Sequence, residues 1–373
     1  MESIEYVATC LFGLEKFVGE EIEELGYEKT EVIDGRVSFK GGIDAIARCN
    51  IGLRTAERLY LKMGSFPART FDELFENTKA LPWENWIGQD DAFPVSGHSI
   101  KSALFSLPDC QSIVKKAIVD RLSAEYGIRW FNEEGAKMKV EFFILNDKAT
   151  LMIDTSGVPL HKRGYRPAAG AAPLRETLAA AMVKLSRPRE NVLLWDPFCG
   201  SGTIAIEAAC LMTGTSPGVG RRYAAEDFFD VPESVWVRAR EEALDRVHKT
   251  EFEAFASDID PQMVEMAKAN VSRAGMDKVV KCFVKDALTI EKSDRRGTIV
   301  CNPPYGERLM TPIEVSRLYR GMGRTFSSLA PWQIYILSSA DDFEHLYGQK
   351  ADKVKRMYNG MIKCGLFQYF KQK

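Results

Sequence analysis

The 373-residue chain lacks the features that most directly mark a metal site, a secretion signal or a membrane anchor. Its eight cysteines form no C-x-x-C pair and no zinc-like spacing, so we expect reduced, buried thiols and no bound metal. It has no run of about 18 apolar residues, which excludes a membrane-spanning helix. Because the acidic N-terminal stretch also has no apolar segment of signal-peptide length, we expect a cytoplasmic protein.

The chain also lacks an excess of either charge. Its 50 basic and 52 acidic residues give a net charge of −2, which predicts neither an anionic nor a cationic partner. The charge of local stretches differs from this overall balance. From Lys350 to the last residue there are seven basic residues, and Asp352 is the single acidic one. Lys162, Arg163 and Arg166 likewise lie in a segment without an acid. Each stretch, taken alone, fits either a path for a phosphate backbone or ordinary solvated surface.

The overall composition excludes fibrous and disordered proteins, because hydrophobic residues make up 45% and charged residues 27% of the chain. Strand and helix patterns alternate over residues 1–54 and again over 55–155. Residues 156–173 are rich in Gly, Pro and Ala and predict a linker. From 174 to 373 the alternation fits a parallel, doubly wound sheet, and strand-like runs joined at Asn359-Gly360 predict a closing antiparallel hairpin.

The segment DPFCGSGT, residues 196–203, lies between a predicted strand and a predicted helix. Gly200 and Gly202 let the backbone approach a ligand, and the start of the helix offers N–H groups to a carboxylate or phosphate. The spacing also satisfies the dinucleotide fingerprint, so an NAD-dependent dehydrogenase is a competing interpretation. A dinucleotide fold expects an acidic residue about 20 positions on, whereas here the carboxylate is Asp258, after the second strand. Asp196 suits the ammonium of an amino-acid moiety such as that of S-adenosylmethionine (SAM).

Further carboxylates follow the next two predicted strands. Asp258 ends the strand AFASD and is expected at the carboxyl edge of the sheet, where it can accept hydrogen bonds from both ribose hydroxyls. Asp260 is expected to cap the following helix. Asp286 can accept from an adenine amino group, although a turn-forming role fits it equally well.

The second distinctive segment, Asn302-Pro303-Pro304-Tyr305-Gly306, follows the predicted strand TIVC. Its prolines stiffen the loop and leave carbonyl groups free. The Asn302 oxygen and the Pro303 carbonyl can accept hydrogen bonds from the two N–H groups of an exocyclic amine, while Tyr305 stacks on the ring that carries the amine. The segment therefore predicts a site for a planar nitrogenous base.

These motifs together resemble a known family. DPFCGSGTIAIEAA and NPPYGERL are similar to stretches of class I SAM-dependent methyltransferases, in particular the bacterial enzymes that form N2-methylguanosine in large-subunit ribosomal RNA. Upstream, SLPDCQSIVKKAIVDRL, SGVPLHKRGYR and APLRETLAAAMV resemble the same family. The resemblance implies a ferredoxin-like segment over 1–54, a THUMP RNA-binding domain over 55–155, a basic linker over 156–173 and a Rossmann-like methyltransferase domain over 174–373.

The family's roles carry over to matching positions of this chain. The resemblance implies SAM contacts from the glycine segment, the carboxylates after the strands, the Asn-Pro-Pro-Tyr segment and the helix that starts near 175, namely Asp196, Phe198, Gly200, Gly202, Asp258, Asp286, Asn302, Arg175 and Glu176. Asn302, Pro303 and Tyr305 would contact the target base. Lys162, Arg163 and Arg166 would contact RNA phosphates.

We therefore expect methyl transfer from SAM to the exocyclic N2 of a guanosine in 23S ribosomal RNA or a ribosomal precursor. The alternatives are an N6-adenine methyltransferase, a tRNA guanine-N2 methyltransferase and a non-catalytic RNA-binding protein with a relic methyltransferase fold. The RNA-binding module argues against a DNA substrate, and the intact motifs argue against a relic.

Overall fold

The computed structural model describes residues 3–167, 174–305 and 310–370, which contain two seven-stranded sheets. The strands of the first sheet are β1 (Ile4–Cys10), β2 (Glu28–Ile33), β3 (Arg36–Gly41), β4 (Ala56–Pro67), β5 (Val95–Ile100), β6 (Val140–Leu145) and β7 (Lys148–Asp154). Their order is β2-β3-β1-β4-β7-β6-β5, and neighbours are antiparallel except β5 and β6. The helices that contact this sheet are α1 (Glu15–Glu24), α2 (Asp44–Gly52), α3 (Phe71–Lys79) and α4 (Leu107–Tyr126).

Strand β4 links the two N-terminal units that the sequence predicts. It has 12 residues and pairs with β1 along its first half and with β7 along its second half. The division expected between residues 54 and 55 therefore lies just before a strand that belongs to one continuous sheet. The boundary between the ferredoxin-like segment and the THUMP domain at this position stays a prediction.

The second sheet follows from residue 193 onward. Its strands are β8 (Leu193–Asp196), β9 (Ala254–Asp258), β10 (Val280–Val284), β11 (Gly297–Cys301), β12 (Gln333–Ser338), β13 (Lys353–Asn359) and β14 (Ile362–Tyr369). The accompanying helices are α5 (Glu176–Ser186), α6 (Thr203–Met212), α7 (Glu233–Asp245), α8 (Pro261–Arg273), α9 (Pro312–Ser327) and α10 (Phe343–Tyr347). The order is β10-β9-β8-β11-β12-β14-β13, with five parallel strands and an antiparallel hairpin. The predicted α/β fold is confirmed.

The carboxyl ends of the parallel strands form the edge at which the sequence motifs meet. Strands β8 and β11 are neighbours although two strands separate them in the chain, so the connections diverge between them. Doubly wound sheets bind ligands at such a switch point. At the end of β12, Ser338 pairs with Gly365, and the three residues of β14 before Gly365 extend roughly 10 Å beyond this edge. The hairpin turn therefore projects from the side of the sheet that carries the motifs.

The two halves of the molecule share packed interiors. Phe17 of α1 is buried in a cluster with Met357 and Leu366 of the C-terminal hairpin. Conversely, Trp236 of α7, which belongs to the C-terminal half, is buried in the core of the N-terminal half. It stacks on Tyr223 with ring centroids 5.3 Å apart. Burial of apolar surface on both sides therefore joins the halves.

Within the described ranges, the structure has neither a membrane-spanning helix nor a clustered metal-binding site. None of the helices there is long and apolar enough to cross a bilayer. The same residues contain no group of three or more His, Cys, Asp or Glu side chains placed to hold a metal ion. All eight cysteines are free, and six of them are buried.

Candidate active site

The segment between β8 and α6 forms a tight loop that depends on two glycines. Gly200 and Gly202 have φ values of +49° and +82°, in the left-handed region that residues with a Cβ rarely enter. A Cβ on Gly202 would also lie 3.2 Å from the Cβ of Ala267 in α8. The Gly202 N–H donates to the Cys199 carbonyl at 2.7 Å, which closes the loop just before α6 begins at Thr203.

Asp258 fastens this loop to β9. Its Oδ2 accepts a hydrogen bond from the Gly200 N–H at 2.9 Å, and its Oδ1 accepts from the Asp260 N–H at 3.1 Å. Beside it, the Cys199 N–H donates to the Ser257 carbonyl at 2.9 Å. Each oxygen of a carboxylate can accept a further hydrogen bond, so Asp258 retains capacity for ribose hydroxyls. The ribose contact itself stays a prediction.

Asp260 and Asp286 both have capping geometry. Asp260 Oδ1 accepts from the Gln262 N–H at 2.8 Å at the start of α8. Asp286 Oδ1 accepts from the Leu288 N–H at 2.8 Å in a short 3-10 helix that follows β10. The second oxygen of Asp286 leaves an acceptor for an adenine amino group, and that contact stays a prediction.

A buried carboxylate ends strand β8. Asp196 is only 1% exposed, and its Oδ1 accepts from the Phe198 N–H at 3.1 Å. Among the residues that the structure describes, no basic side chain forms an ion pair with it. Burial raises the pKa of Asp196 well above its usual range, and the nearby charge of Asp258 raises that pKa further. A cationic group such as the ammonium of SAM would favour its ionised form.

The Asn-Pro-Pro-Tyr segment follows β11 at the same switch point. Asn302 Oδ1 is buried and has no hydrogen-bond partner among the described atoms. The Pro304 carbonyl accepts from the Tyr319 hydroxyl at 3.2 Å, and that hydroxyl also bonds to Ser338 Oγ at 3.0 Å. A buried acceptor without a partner costs about 1–3 kcal/mol. Asn302 Oδ1 can therefore accept a hydrogen bond from an N–H or O–H group of a ligand.

Tyr305 is the last described residue of this segment, and Gly306 lies outside the described residues. Its hydroxyl accepts a hydrogen bond from Asn359 Nδ2 at 2.9 Å, which ties the segment to the β13–β14 hairpin. Burial raises the pKa of Tyr305 above its usual range, so the phenol stays neutral. Stacking of its ring on a target base stays a prediction.

Arg163 is buried, which corrects the phosphate contact expected of it. Its side chain is 3% exposed and lies 3.5 Å from Glu207 of α6. The guanidinium donates to the carbonyls of Leu160 and Arg54. Arg163 therefore links the two halves of the chain and cannot reach a phosphate at the surface.

The side chain of Arg166 is also buried, so its expected phosphate contact is likewise corrected. Its side chain is 6% exposed, pairs with Glu176 at 2.9 Å and donates to Thr203 Oγ1 at 3.1 Å. The pair supports the start of α6, directly after the glycine loop. Direct contact of Glu176 with SAM stays a prediction. Lys162 is exposed, and its RNA contact also stays a prediction.

Arg175 contacts the N-terminal half rather than the glycine loop. Its guanidinium donates to Glu57 of β4 at 2.9 Å, and Glu57 also accepts from Thr177 at 2.5 Å and bonds to His161 at 2.8 Å. Although burial alone would raise it, these hydrogen bonds and the charge of Arg175 hold the pKa of Glu57 below its usual value. The start of α5 is therefore fastened to β4, and a contact of Arg175 with SAM stays a prediction. Residues 168–173 of the expected linker lie outside the described residues.

Sequence reasoning missed three residues that hold the site together. Asn270 of α8 is buried and donates from Nδ2 to the Ser201 carbonyl at 2.9 Å. An asparagine on the apolar face of an amphipathic helix is a signal that could have identified it. Tyr319 and Asn359 support the Asn-Pro-Pro-Tyr segment from distant elements, and no local motif marks them.

The chemistry of these residues fits SAM. The glycines with positive φ let a ligand approach the backbone closely, and Asp258 has acceptors for ribose hydroxyls. Asp196 is a buried carboxylate whose ionised form a cation would stabilise. Asn302 presents a free acceptor nearby, at the next strand end. A parallel sheet that ends in an antiparallel hairpin, with this site at its switch point, defines a class I SAM-dependent methyltransferase.

Comparison with family models identifies the family. Residues 163–368 match the model described as "RMKL-like, methyltransferase domain", residues 5–60 match "RlmL ferredoxin-like domain", and residues 68–154 match "THUMP domain". The chain therefore belongs to the RMKL-like methyltransferases and carries the two N-terminal domains that its sequence resembles.

Two curated relatives extend this comparison. The protein named "Putative RNA methyltransferase YpsC" of Bacillus subtilis (strain 168) is 44% identical over 373 residues, covering 99% of this chain and 97% of the relative. "Ribosomal RNA large subunit methyltransferase K/L" of Aliivibrio salmonicida (strain LFI1238) is 33% identical and covers 96% of this chain. The match covers 52% of the K/L protein, so the chain spans about half of its length.

Two solved structures have the same fold along the whole chain. The crystal structure of SMU.472, described as "a putative methyltransferase complexed with SAH", is 39% identical with a TM-score of 0.93, covering 100% of this chain and 99% of that chain. A protein from Listeria monocytogenes str. 4b F2365, described as "a predicted N6-adenine-specific DNA methylase", is 44% identical with a TM-score of 0.93, covering 100% and 97%. SAH is the product left when SAM gives up its methyl group, and SAM is confirmed as the methyl donor.

Proposed function

We propose that the protein transfers a methyl group from SAM to the exocyclic N2 of a guanosine in large-subunit (23S) ribosomal RNA. The observation that carries the proposal is the buried Oδ1 of Asn302, which has no partner among the described atoms and directly follows β11, the neighbour of β8 in the sheet. An exocyclic amine supplies the N–H donor that this oxygen lacks. The relative named ribosomal RNA large subunit methyltransferase K/L supports the choice of RNA.

The difficulty of the reaction lies in the amine, because its lone pair is delocalised into the purine ring. When Asn302 Oδ1 and the Pro303 carbonyl accept hydrogen bonds from its two N–H groups, the nitrogen can become more tetrahedral as its new bond forms. Bound SAM supplies an electrophilic methyl group on a sulfonium, which departs as the neutral thioether of SAH. The amine proton passes to water after transfer, so the chain needs no strong base. The enzyme mainly aligns the two reactants.

The remaining parts of the chain are assigned to RNA binding. We propose that residues 1–155 dock the RNA, that exposed Lys162 contacts a phosphate, and that residues 174–373 bind SAM and the target base. The match of residues 68–154 to a THUMP domain supports this division. Bacterial ribosomal RNA is made in the cytoplasm, and we propose that the protein acts there.

The N6 of adenine is the strongest competing acceptor, because it is also an exocyclic amine that Asn302 could bind. The description of the Listeria structure as an adenine-specific DNA methylase favours testing it directly. The remaining alternatives are methyl transfer to guanosine N2 in tRNA and a non-catalytic RNA-binding protein with a relic methyltransferase fold.

A single assay separates these possibilities. Purified protein is incubated with labelled SAM and, in separate reactions, with a 23S rRNA transcript, bulk tRNA transcripts or duplex DNA. The products are digested to nucleosides and identified by mass spectrometry. N2-methylguanosine from the 23S transcript supports the proposal. N6-methyladenine, a tRNA product or no transfer to any substrate contradicts it.

Variants of Asn302 test the role of the loop. Asn302→Ala should abolish transfer under single-turnover conditions while SAM affinity stays within about threefold, since we assign the unpaired Oδ1 to the amine of the target base. Asn302→Asp keeps an oxygen acceptor and should retain more transfer than Asn302→Ala. If Asn302→Ala transfers at the wild-type rate, the role given to this residue is wrong.

A further inference from the structure

The tip of the β13–β14 hairpin exposes an unusual apolar side chain. Asn359 pairs with Ile362 across the turn, and Met361 within the turn is 97% exposed. This tip extends beyond the carboxyl edge of the sheet, where the Asn-Pro-Pro-Tyr segment lies. A methionine so exposed at the entrance of a site gains nothing from packing within the chain, and it is available to a ligand.

The two faces of the hairpin tip differ. Asn359 faces the Asn-Pro-Pro-Tyr segment, because its Nδ2 donates to the Tyr305 hydroxyl at 2.9 Å. Tyr358 must point to the opposite face, since successive side chains of a strand alternate. Lys363 pairs directly with Tyr358 across the hairpin, and Arg356 lies two residues before Tyr358. These three side chains therefore share the face that is turned away from Tyr305.

A second aromatic ring is fixed beside this face by the N-terminal half. Phe12, 56% exposed in the loop between β1 and α1, contacts Tyr358 edge to face with ring centroids 5.9 Å apart. Its loop is well anchored, because Glu15 accepts hydrogen bonds from the N–H groups of Gly13 at 3.0 Å and Gly35 at 2.8 Å. Phe12 is therefore presented by a braced loop rather than by a free one.

The charge of this face suits a nucleic acid. Arg356 and Lys363, two of the four basic residues over 353–370, lie on this face, and that range contains no acidic residue. Arg356 and Lys363 are exposed, and neither has an acidic ion-pair partner in the part of the chain that the structure describes. Aromatic rings beside exposed cations are the combination with which proteins bind single-stranded RNA.

We propose that the hairpin tip separates the target nucleotide from its neighbour in the RNA. Met361 inserts between the two bases, the target base enters on the side of Asn359 and Tyr305, and the neighbouring base stacks on Phe12 and Tyr358. Apolar wedges that unstack neighbouring bases act in this way in other nucleic-acid complexes. Arg356 and Lys363 contact the phosphates of the neighbouring nucleotide. This inference rests on the proposed RNA methyl transfer.

The experiment compares single variants of full-length protein on the 23S rRNA transcript. Phe12→Ala and Met361→Ala should each lower the single-turnover rate at subsaturating RNA by at least about fivefold, the lower limit for loss of one base stack. Affinity for SAM should stay within twofold of wild type. Phe370→Ala is the matched control, because Phe370 follows the opposite end of β14 and is 39% exposed. It should leave rate and RNA affinity unchanged.

A salt series tests the charged part of the surface. The double variant Arg356→Gln, Lys363→Gln should lower the slope of log affinity against log salt by about 1.4, since each phosphate contact with a single strand contributes about 0.7. Unchanged rates for Phe12→Ala and Met361→Ala, or equal losses in Phe370→Ala, would overturn the inference. A wild-type dimer that Met361→Ala dissociates would assign the surface to self-association instead. If the wild type itself neither binds nor methylates the transcript, the proposed function fails first.

Discussion

Asp258 offers the sharpest test of the cofactor site, because its carboxylate has two tasks. It accepts hydrogen bonds from the Gly200 N–H at 2.9 Å and the Asp260 N–H at 3.1 Å, and we expect it to accept from the ribose of SAM. Hydrogen bonds to a charged group are worth about 1.5–3 kcal/mol. Asp258→Ala removes the ribose partner and loosens the glycine loop, for a combined loss of about 3 kcal/mol. That loss corresponds to roughly 100-fold weaker SAM binding.

Asp260→Ala is the matched control. It removes a carboxylate two residues away that caps α8 through the Gln262 N–H at 2.8 Å, and we expect it to make no contact with SAM. Loss of a helix cap lowers the free energy of unfolding by about 0.5–2 kcal/mol. Both variants should therefore be less stable than the wild type, but only Asp258→Ala should lose affinity for SAM.

Two measurements on each variant decide the matter. Calorimetric titration with SAM gives the affinity, and urea unfolding without ligand gives the free energy of unfolding. We expect about 100-fold weaker binding in Asp258→Ala and a change within threefold in Asp260→Ala. Affinity within threefold of wild type in Asp258→Ala would refute the ribose assignment. Equal losses in both variants would show that the stability of α8, and not the ribose contact, governs binding.

Two further predictions follow from buried charges. Because burial raises the pKa of Asp196 and the ammonium of SAM should lower it, SAM binding should release a proton and strengthen as pH rises toward the raised pKa of the ligand-free carboxyl. Titrations in buffers of different ionisation enthalpy check this, and Asp196→Asn should abolish the proton release. Arg163→Met leaves Glu207 buried without its cation, 3.5 Å away in the wild type, and should lower the free energy of unfolding by about 3–5 kcal/mol in urea. Lys162→Gln should instead keep that stability and lower the salt slope of RNA binding by about 0.7, and the opposite pattern would restore the phosphate role of Arg163.

The sequence determined where the chemistry lies along the chain. The predicted strand Ala254–Asp258 has the same bounds in the structure. Short apolar runs that end in Asp, Asn or Gly are local signals, because a buried parallel strand needs apolar residues on both faces and a ligand-binding loop needs polar residues or glycine at its end. The sequence does not predict strand β2, because that local signal is absent there. The residues Glu28–Ile33 are almost all exposed, and apolar and polar residues do not alternate along them.

Only the tertiary structure decided what each polar side chain does. From the sequence alone, the basic segment around residue 163 fits a phosphate-binding path and a buried junction equally well. The structure decides between them, because folding brings Glu207 beside Arg163 and Glu176 beside Arg166. Likewise, nothing near Tyr305 in sequence predicts its hydrogen bond to Asn359, 54 residues away. Local patterns report whether a residue suits a strand, a helix or a turn, whereas burial and pairing depend on which distant segments fold against it. The motifs could therefore be located from the sequence, while the residues that hold them in place, and those that we propose to contact RNA, follow only from the packing of the two halves.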